Sequence, residues 1–107
     1  YGATTDSDSV HRAGREHEPL LKDLPCPLLS DVRRDLSQAL GILDREEGVC
    51  LRATFIVDPE GFIRFVSVND LSVGRNPEEV LRVLDALQSG GLTACGWQSG
   101  DPNLEAA

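Results

Sequence analysis

Leu51-Arg52-Ala53-Thr54-Phe55-Ile56-Val57-Asp58-Pro59-Glu60-Gly61 is the stretch whose reading decides the fold. Thr, Phe, Ile and Val dominate its first half and apolar side chains point to both sides of an extended chain, which predicts a central strand buried on both faces. Asp58-Pro59-Glu60-Gly61 then places Pro and Gly where a type I turn wants them, so residues 62–68 are expected to return as an antiparallel partner.

Beyond this hairpin, Asn76-Pro77-Glu78-Glu79 opens a helix: Asn76 caps it, Pro77 fits the first turn, and Glu79 stands where a carboxylate can reach back to the cap amide. Val80, Leu81, Val83, Leu84 and Leu87 form its apolar face, and Ser89-Gly90-Gly91 ends it. Upstream, residues 1–5 read as a strand, and Asp6-Ser7-Asp8 supplies caps for a mostly charged, weak helix over 10–22 that contains Gly14 and meets Pro19. Pro25-Cys26-Pro27 forces extended backbone ahead of a brief buried strand at Leu28-Leu29. Ser30 and Asp31 are caps for a second helix with Val32, Leu36, Ala39 and Leu40 on one face and Gly41 as its stop, and residues 44–48 form a polar surface loop. The order is strand, helix, strand, helix, strand, hairpin strand, helix: an α/β chain with a crossover half and an antiparallel half.

At 107 residues the chain suffices for one small domain around a single core. Lys and Arg total 10 against 18 Asp and Glu, a net charge of −8, which argues against nucleic acid or an anionic membrane surface as a partner. No apolar run approaches the ~20 residues of a membrane span, and no basic stretch leads into an apolar one at the start, so a soluble, unexported protein is expected. Cys26, Cys50 and Cys95 are odd in number and contain no Cys-x-x-Cys, which suggests neither a disulfide scaffold nor a zinc ribbon and suits a reducing cytoplasm. His11 and His17 fall on different faces of a helix and no pattern adds a third ligand beside Cys26, so no metal site and no cofactor are expected. The chain opens on Tyr1 and holds no methionine, and it is expected to be a piece of a longer protein.

Pro27-Leu28-Leu29-Ser30-Asp31, the stretch from Leu51 to Gly61, and Val73-Gly74-Arg75-Asn76 running into Glu79-Val80-Leu81-Arg82 occur in an order and spacing that closely resembles the typical two-cysteine peroxiredoxins, and among them the alkyl hydroperoxide reductase C type. The resemblance covers nearly the whole chain. It implies an α/β, thioredoxin-like fold and a thiol-dependent peroxidase acting on hydrogen peroxide and organic hydroperoxides. The family attacks peroxide with a cysteine in a Pro-x-x-x-Thr/Ser-x-x-Cys segment upstream of everything present here. The chain is therefore expected to lack the family's N-terminal strands and helix, with residues 1–91 the C-terminal part of the domain and 92–107 its tail.

By this resemblance Arg52 matches the active-site arginine, whose fixed charge favours the thiolate and whose planar donors hold the peroxide oxygens. Taken alone, an Arg at a strand start is usually a surface or salt-bridged residue. Cys95 lies in the segment of the family's resolving cysteine, two residues before Trp97, although the usual position is four before it, here Thr93. One branch of the family carries cysteine at both places, which makes Cys95 the candidate resolver; a stray tail thiol is the alternative. Arg75 matches a second arginine near the active site, or else pairs with Glu78 or Glu79. Cys50, two residues before Arg52, would share its face on one strand, with a plain buried thiol as the alternative. Cys26 reads as packing, and Gly14 stands where the family commonly has a tryptophan.

The resemblance further implies a homodimer or ring-type homo-oligomer joined through the returning hairpin strand, a dithiol reductant protein and a peroxide substrate. A non-catalytic thioredoxin-fold association module, lacking the attacking cysteine, is the competing expectation. For the chain by itself no peroxidase turnover is expected. Its tail after Leu92 is expected to be loosely held, with Cys95 accessible and Cys26 protected.

Overall fold

The structure, a computed structural model, describes residues 1–18 and 25–105. It divides into two compact units, Tyr1–Leu51 and Arg52–Ala107.

In the first unit, β1 (Gly2–Thr4) pairs in parallel with β2 (Leu28–Ser30), Ala3 opposite Leu29. The connection carries α1 (Asp8–His17), which starts where the Asp-Ser-Asp cap signal places it: the Ser7 hydroxyl accepts from the Val10 amide. The helix ends at His17 with Glu18 as its cap, ahead of Pro19; residues 19–22 of the expected helix lie outside the described residues. The sequence pattern predicts a helix over Val32–Leu40, but α2 spans only Asp35–Ala39. Its cap is still Asp31, reaching further than a local cap does. The carboxylate accepts from the Leu36 and Ser37 amides and the Ser37 hydroxyl, at 3.0, 2.8 and 2.6 Å. Residues 32–34 form the turn that this reach requires, and Arg34 adopts φ 62° there, a left-handed conformation costing roughly 1–2 kcal/mol in a non-glycine residue. The Arg34 side chain offsets that cost by donating to the Gly48 and Val32 carbonyls. The buried face is correspondingly different from the expected one: Val32 and Leu36 are exposed, and Ser37 and Ile42 are buried.

Residues 44–48 are more than a loop. They are the turn of a short hairpin, β3 (Leu43–Asp44) against β4 (Val49–Cys50), in which the Asp44 carboxylate accepts from the Glu46 and Glu47 amides. The polarity that marks a loop is the polarity of an Asx-type turn.

The second unit is built on the hairpin of β5 (Arg52–Val57) and β6 (Ile63–Asn69), antiparallel with Thr54 opposite Ser67 and a register shift at Ile56/Val57. The Gly61 amide donates to the Asp58 carbonyl at 3.0 Å and Gly61 takes φ 89°, a type I turn followed by a left-handed glycine. The Asp58 carboxylate is the hub of this turn, accepting from the Glu60 and Phe62 amides and from Arg64 Nε. One expectation is corrected: among the described residues β5 has a single strand partner, and none of its side chains is fully buried. α3 (Pro77–Gln88) begins at the Asn76 cap as expected, with the Asn76 side chain accepting from the Glu79 amide. Its Arg82, Val83 and Ala86 join Asp58 and Arg64 of the hairpin in lining an open groove, which places the helix against the turn end of β5–β6.

Asp58 and Asp31 both hold their carboxyls below the ordinary value of 3.8, Asp58 first through the Phe62 amide and Asp31 first through the Ser37 hydroxyl. A carboxyl depressed in the folded state stabilises it fully above the unfolded value and loses that contribution as pH falls through the folded one. Glu79, held below its ordinary value of 4.5 first by the hydrogen bond from Arg82, adds to the same trend, so urea unfolding midpoints are expected to hold level down to about pH 5.5 and to fall on further acidification. In Asp58→Asn the acid limb should be shallower. An unchanged limb would show that Asp58 does not carry it.

Candidate active site and resolving turn

Arg52 is the first residue of β5, opposite Asn69. Its Nε donates to the Leu71 carbonyl at 2.8 Å. That carbonyl belongs to a loop ordered by its own side chains: Asp70 accepts from the Leu71 amide and the Ser72 hydroxyl, and Asn69 Nδ2 donates to the Gly74 carbonyl. The loop delivers Arg75 back to the same strand, where its Nε donates to the Ala53 carbonyl at 3.2 Å. Two guanidiniums thus anchor through Nε on neighbouring backbone at the start of β5. Both are exposed, and among the described residues neither joins an ion pair. The alternative pairing of Arg75 with Glu78 or Glu79 is absent among the described residues, and Glu79 instead pairs with Arg82 at 2.7 Å. A pair of uncompensated arginines with free terminal nitrogens is suited to stabilising a thiolate and orienting a small oxygen-rich ligand.

Cys95 is exposed and occupies the second position of a turn that the Trp97 amide closes on the Ala94 carbonyl at 3.1 Å. Gly96, third in that turn, has φ 73°, as a type II turn demands. A second turn follows at once, with the Asp101 amide on the Gln98 carbonyl and Gly100 at φ 99°. Between them Trp97 is 5% exposed, and its Nε1 donates to the Asp101 carbonyl. The Leu92–Leu104 bridge closes the segment, so the expectation of a loosely held tail is corrected. The glycines that suggest slackness are the positions that let two tight turns form around a buried ring.

No hydrogen bond or ion pair among the described residues links Arg52 to Cys95. Cys50 is half-buried in β4 opposite Leu43, while Arg52 opens β5; the expectation that they share one strand face fails because Leu51 separates two strands with different partners. Cys26 is half-buried rather than enclosed, and its carbonyl accepts from Arg15. Sequence reasoning missed His11, whose ring nitrogens meet the Thr4 and Ser30 hydroxyls and so tie α1 to both β1 and β2.

Among the described residues no helix is long and apolar enough to cross a membrane. The AhpC/TSA family pattern matches residues 1–66. Over 105 residues the chain is 55% identical to alkyl hydroperoxide reductase C of Mycobacterium tuberculosis, covering 98% of this chain and 53% of that one. The solved structure of Mycobacterium tuberculosis AhpC superposes with a TM-score of 0.80 at 54% identity, over 91% of this chain and 54% of that one. The reduced 2-Cys peroxiredoxin of Plasmodium vivax gives 0.85 at 31% identity, over 94% and 55%. The chain therefore spans about half the length of the relatives it matches. The architecture of β1 to α3 is that of the peroxiredoxins, a thioredoxin-like fold, and with these identities the chain belongs to the AhpC/TSA family.

Proposed function

We propose that this chain serves a thiol-dependent peroxidase, supplying the arginine pair that activates peroxide and thiolate and the thiol that resolves the oxidised intermediate. The observation that carries the reading is the placement of Arg52 and Arg75, each tied by Nε to backbone beside the start of β5 and neither neutralised by a carboxylate among the described residues. A cysteine thiolate contributed by the upstream segment attacks the distal peroxide oxygen. The O–O bond breaks, the leaving oxygen takes a proton to become water or an alcohol, and the thiolate becomes a sulfenic acid. Cys95 of another subunit then attacks that sulfur, forming a disulfide and releasing water, and a dithiol reductant protein restores both thiols. The exposed apolar residues Val66 and Val68 of β6 favour association of subunits through the hairpin, in a homodimer or a larger ring. A cytoplasmic setting suits three free cysteines.

The test has two parts. The chain by itself is expected to consume peroxide no faster than free thiols do, and rapid saturable turnover abolished by Cys50→Ser would instead make Cys50 the nucleophile. In a protein that joins this chain to the upstream cysteine, peroxide should produce an intersubunit disulfide that Cys95→Ser eliminates. Persistence of that disulfide, with unchanged recycling, would remove Cys95 from the cycle.

A further inference from the structure

Glu79 stands at the third position of α3, where the capping pattern calls for its carboxylate on the Asn76 amide. Instead both of its oxygens go to Arg82, Oε2 to Nε at 2.7 Å and Oε1 to Nη2 at 2.8 Å. This fork fixes the guanidinium plane, and the nitrogen left over, Nη1, donates to the Trp97 carbonyl at 2.8 Å. Trp97 is the closing residue of the turn that displays Cys95, so the guanidinium is bonded to the same residue whose amide holds the turn shut.

We propose that Arg82, oriented by Glu79, is a positioning residue for the Cys95 thiol, latching the Trp97 carbonyl so that the turn carrying Cys95 is held in one conformation on α3. The proposal rests on reading Cys95 as the resolving thiol. It assigns Glu79 and Arg82 a purpose that a helix surface pair does not have. Arg82 is 33% and Glu79 46% exposed, and an ion pair so open to water adds little to global stability. A latch and a stabilising pair therefore differ in what their loss does. Losing the latch frees a local turn and leaves the fold's midpoint where it was, whereas losing a structural support lowers every protected amide together. Only a guanidinium can serve: a lysine ammonium keeps the charge beside Glu79 but lacks the planar fork that aims a separate donor at the carbonyl.

The experiment uses the 107-residue chain and its Arg82→Gln, Arg82→Lys and Glu79→Gln variants. Hydrogen exchange of the Trp97 amide is followed beside that of the β5–β6 ladder, and mixed-disulfide formation of Cys95 with oxidised glutathione is followed by peptide mass, with Cys50 as the internal control. Both Arg82 variants are expected to exchange the Trp97 amide about tenfold faster and to raise the Cys95 rate about threefold, with the ladder, Cys50 and the thermal midpoint unmoved. Glu79→Gln, which keeps one acceptor oxygen for the fork, should fall between them and the parent. The proposal is overturned if the Trp97 amide is unaffected, if the ladder and helix accelerate with it, or if Arg82→Lys behaves as the parent does. Failure of the resolver reading appears elsewhere, as a disulfide that survives Cys95→Ser in the longer protein, so the two failures are told apart.

Discussion

In a protein that joins this chain to the family's attacking cysteine, Arg52→Met is expected to lower the second-order rate constant for hydrogen peroxide by about 10²–10³-fold, the loss typical of removing one preorganised donor from a developing negative charge. The expectation follows from position and freedom together. A β-branched and aromatic run makes β5, Arg52 begins it, and the Leu71 carbonyl takes only Nε, which leaves the terminal nitrogens for other partners. On the proposed reading the positive charge acts on the thiolate as well as on the peroxide, so the pH profile carries a separate signature. Arg52→Met should move the apparent thiol pKa upward, and Arg52→Lys, keeping a charge without the fork, should retain the pKa more than the rate. Stopped-flow measurement across pH checks both. A rate within about threefold of the parent would mean that Arg52 is the surface residue its isolated sequence context allows.

Elements that carry their own local signals are legible in the sequence. The β5–turn–β6 hairpin follows from a run of β-formers on either side of Asp58-Pro59-Glu60-Gly61, and α3 from Asn76-Pro77, because each signal acts within four residues of its effect. What the sequence leaves hidden depends on side chains that reach further along the chain or choose between rival partners. Asp31 caps at Ser37 rather than at its own next turn, which shortens α2 and forces Arg34 into the left-handed region. Glu79 has two competing claimants, the Asn76 amide and Arg82, and one turn of helix brings the charged, bidentate partner within reach. His11 finds Ser30 nineteen residues away, a contact set only by the parallel pairing of β1 and β2. In the candidate site the roles proposed for Arg52 and Cys95 follow from resemblance. Their surroundings follow from the fold: the ordered loop 69–75 that returns Arg75 to β5, and the paired turns around Trp97.

Trp97→Ala is expected to cost about 3–5 kcal/mol, the usual penalty for emptying a buried aromatic site. Among the described residues Trp97 and Ile42 are the buried hydrophobic side chains, so a large part of what orders residues 92–104 rests on one ring. Against a total of about 5–15 kcal/mol for a small domain, such a loss takes the tail from ordered to open. Urea unfolding followed together with the amide signals of residues 92–104 should show the Leu92–Leu104 bridge lost in Trp97→Ala before β5–β6 opens. Trp97→Phe separates the ring's two contributions: it keeps most of the apolar packing and gives up the Nε1 bond to the Asp101 carbonyl, a change of about 1 kcal/mol. Neither substitution removes the carbonyl that Arg82 holds, because that acceptor is backbone. If Trp97→Ala leaves residues 92–104 ordered, the ring is not their anchor, and the two turns, the Leu92–Leu104 bridge and the Arg82 bond together hold the segment. If the segment opens although Arg82 and Glu79 are intact, the ring seats the tail and the guanidinium sets only the conformation of the turn that Cys95 occupies.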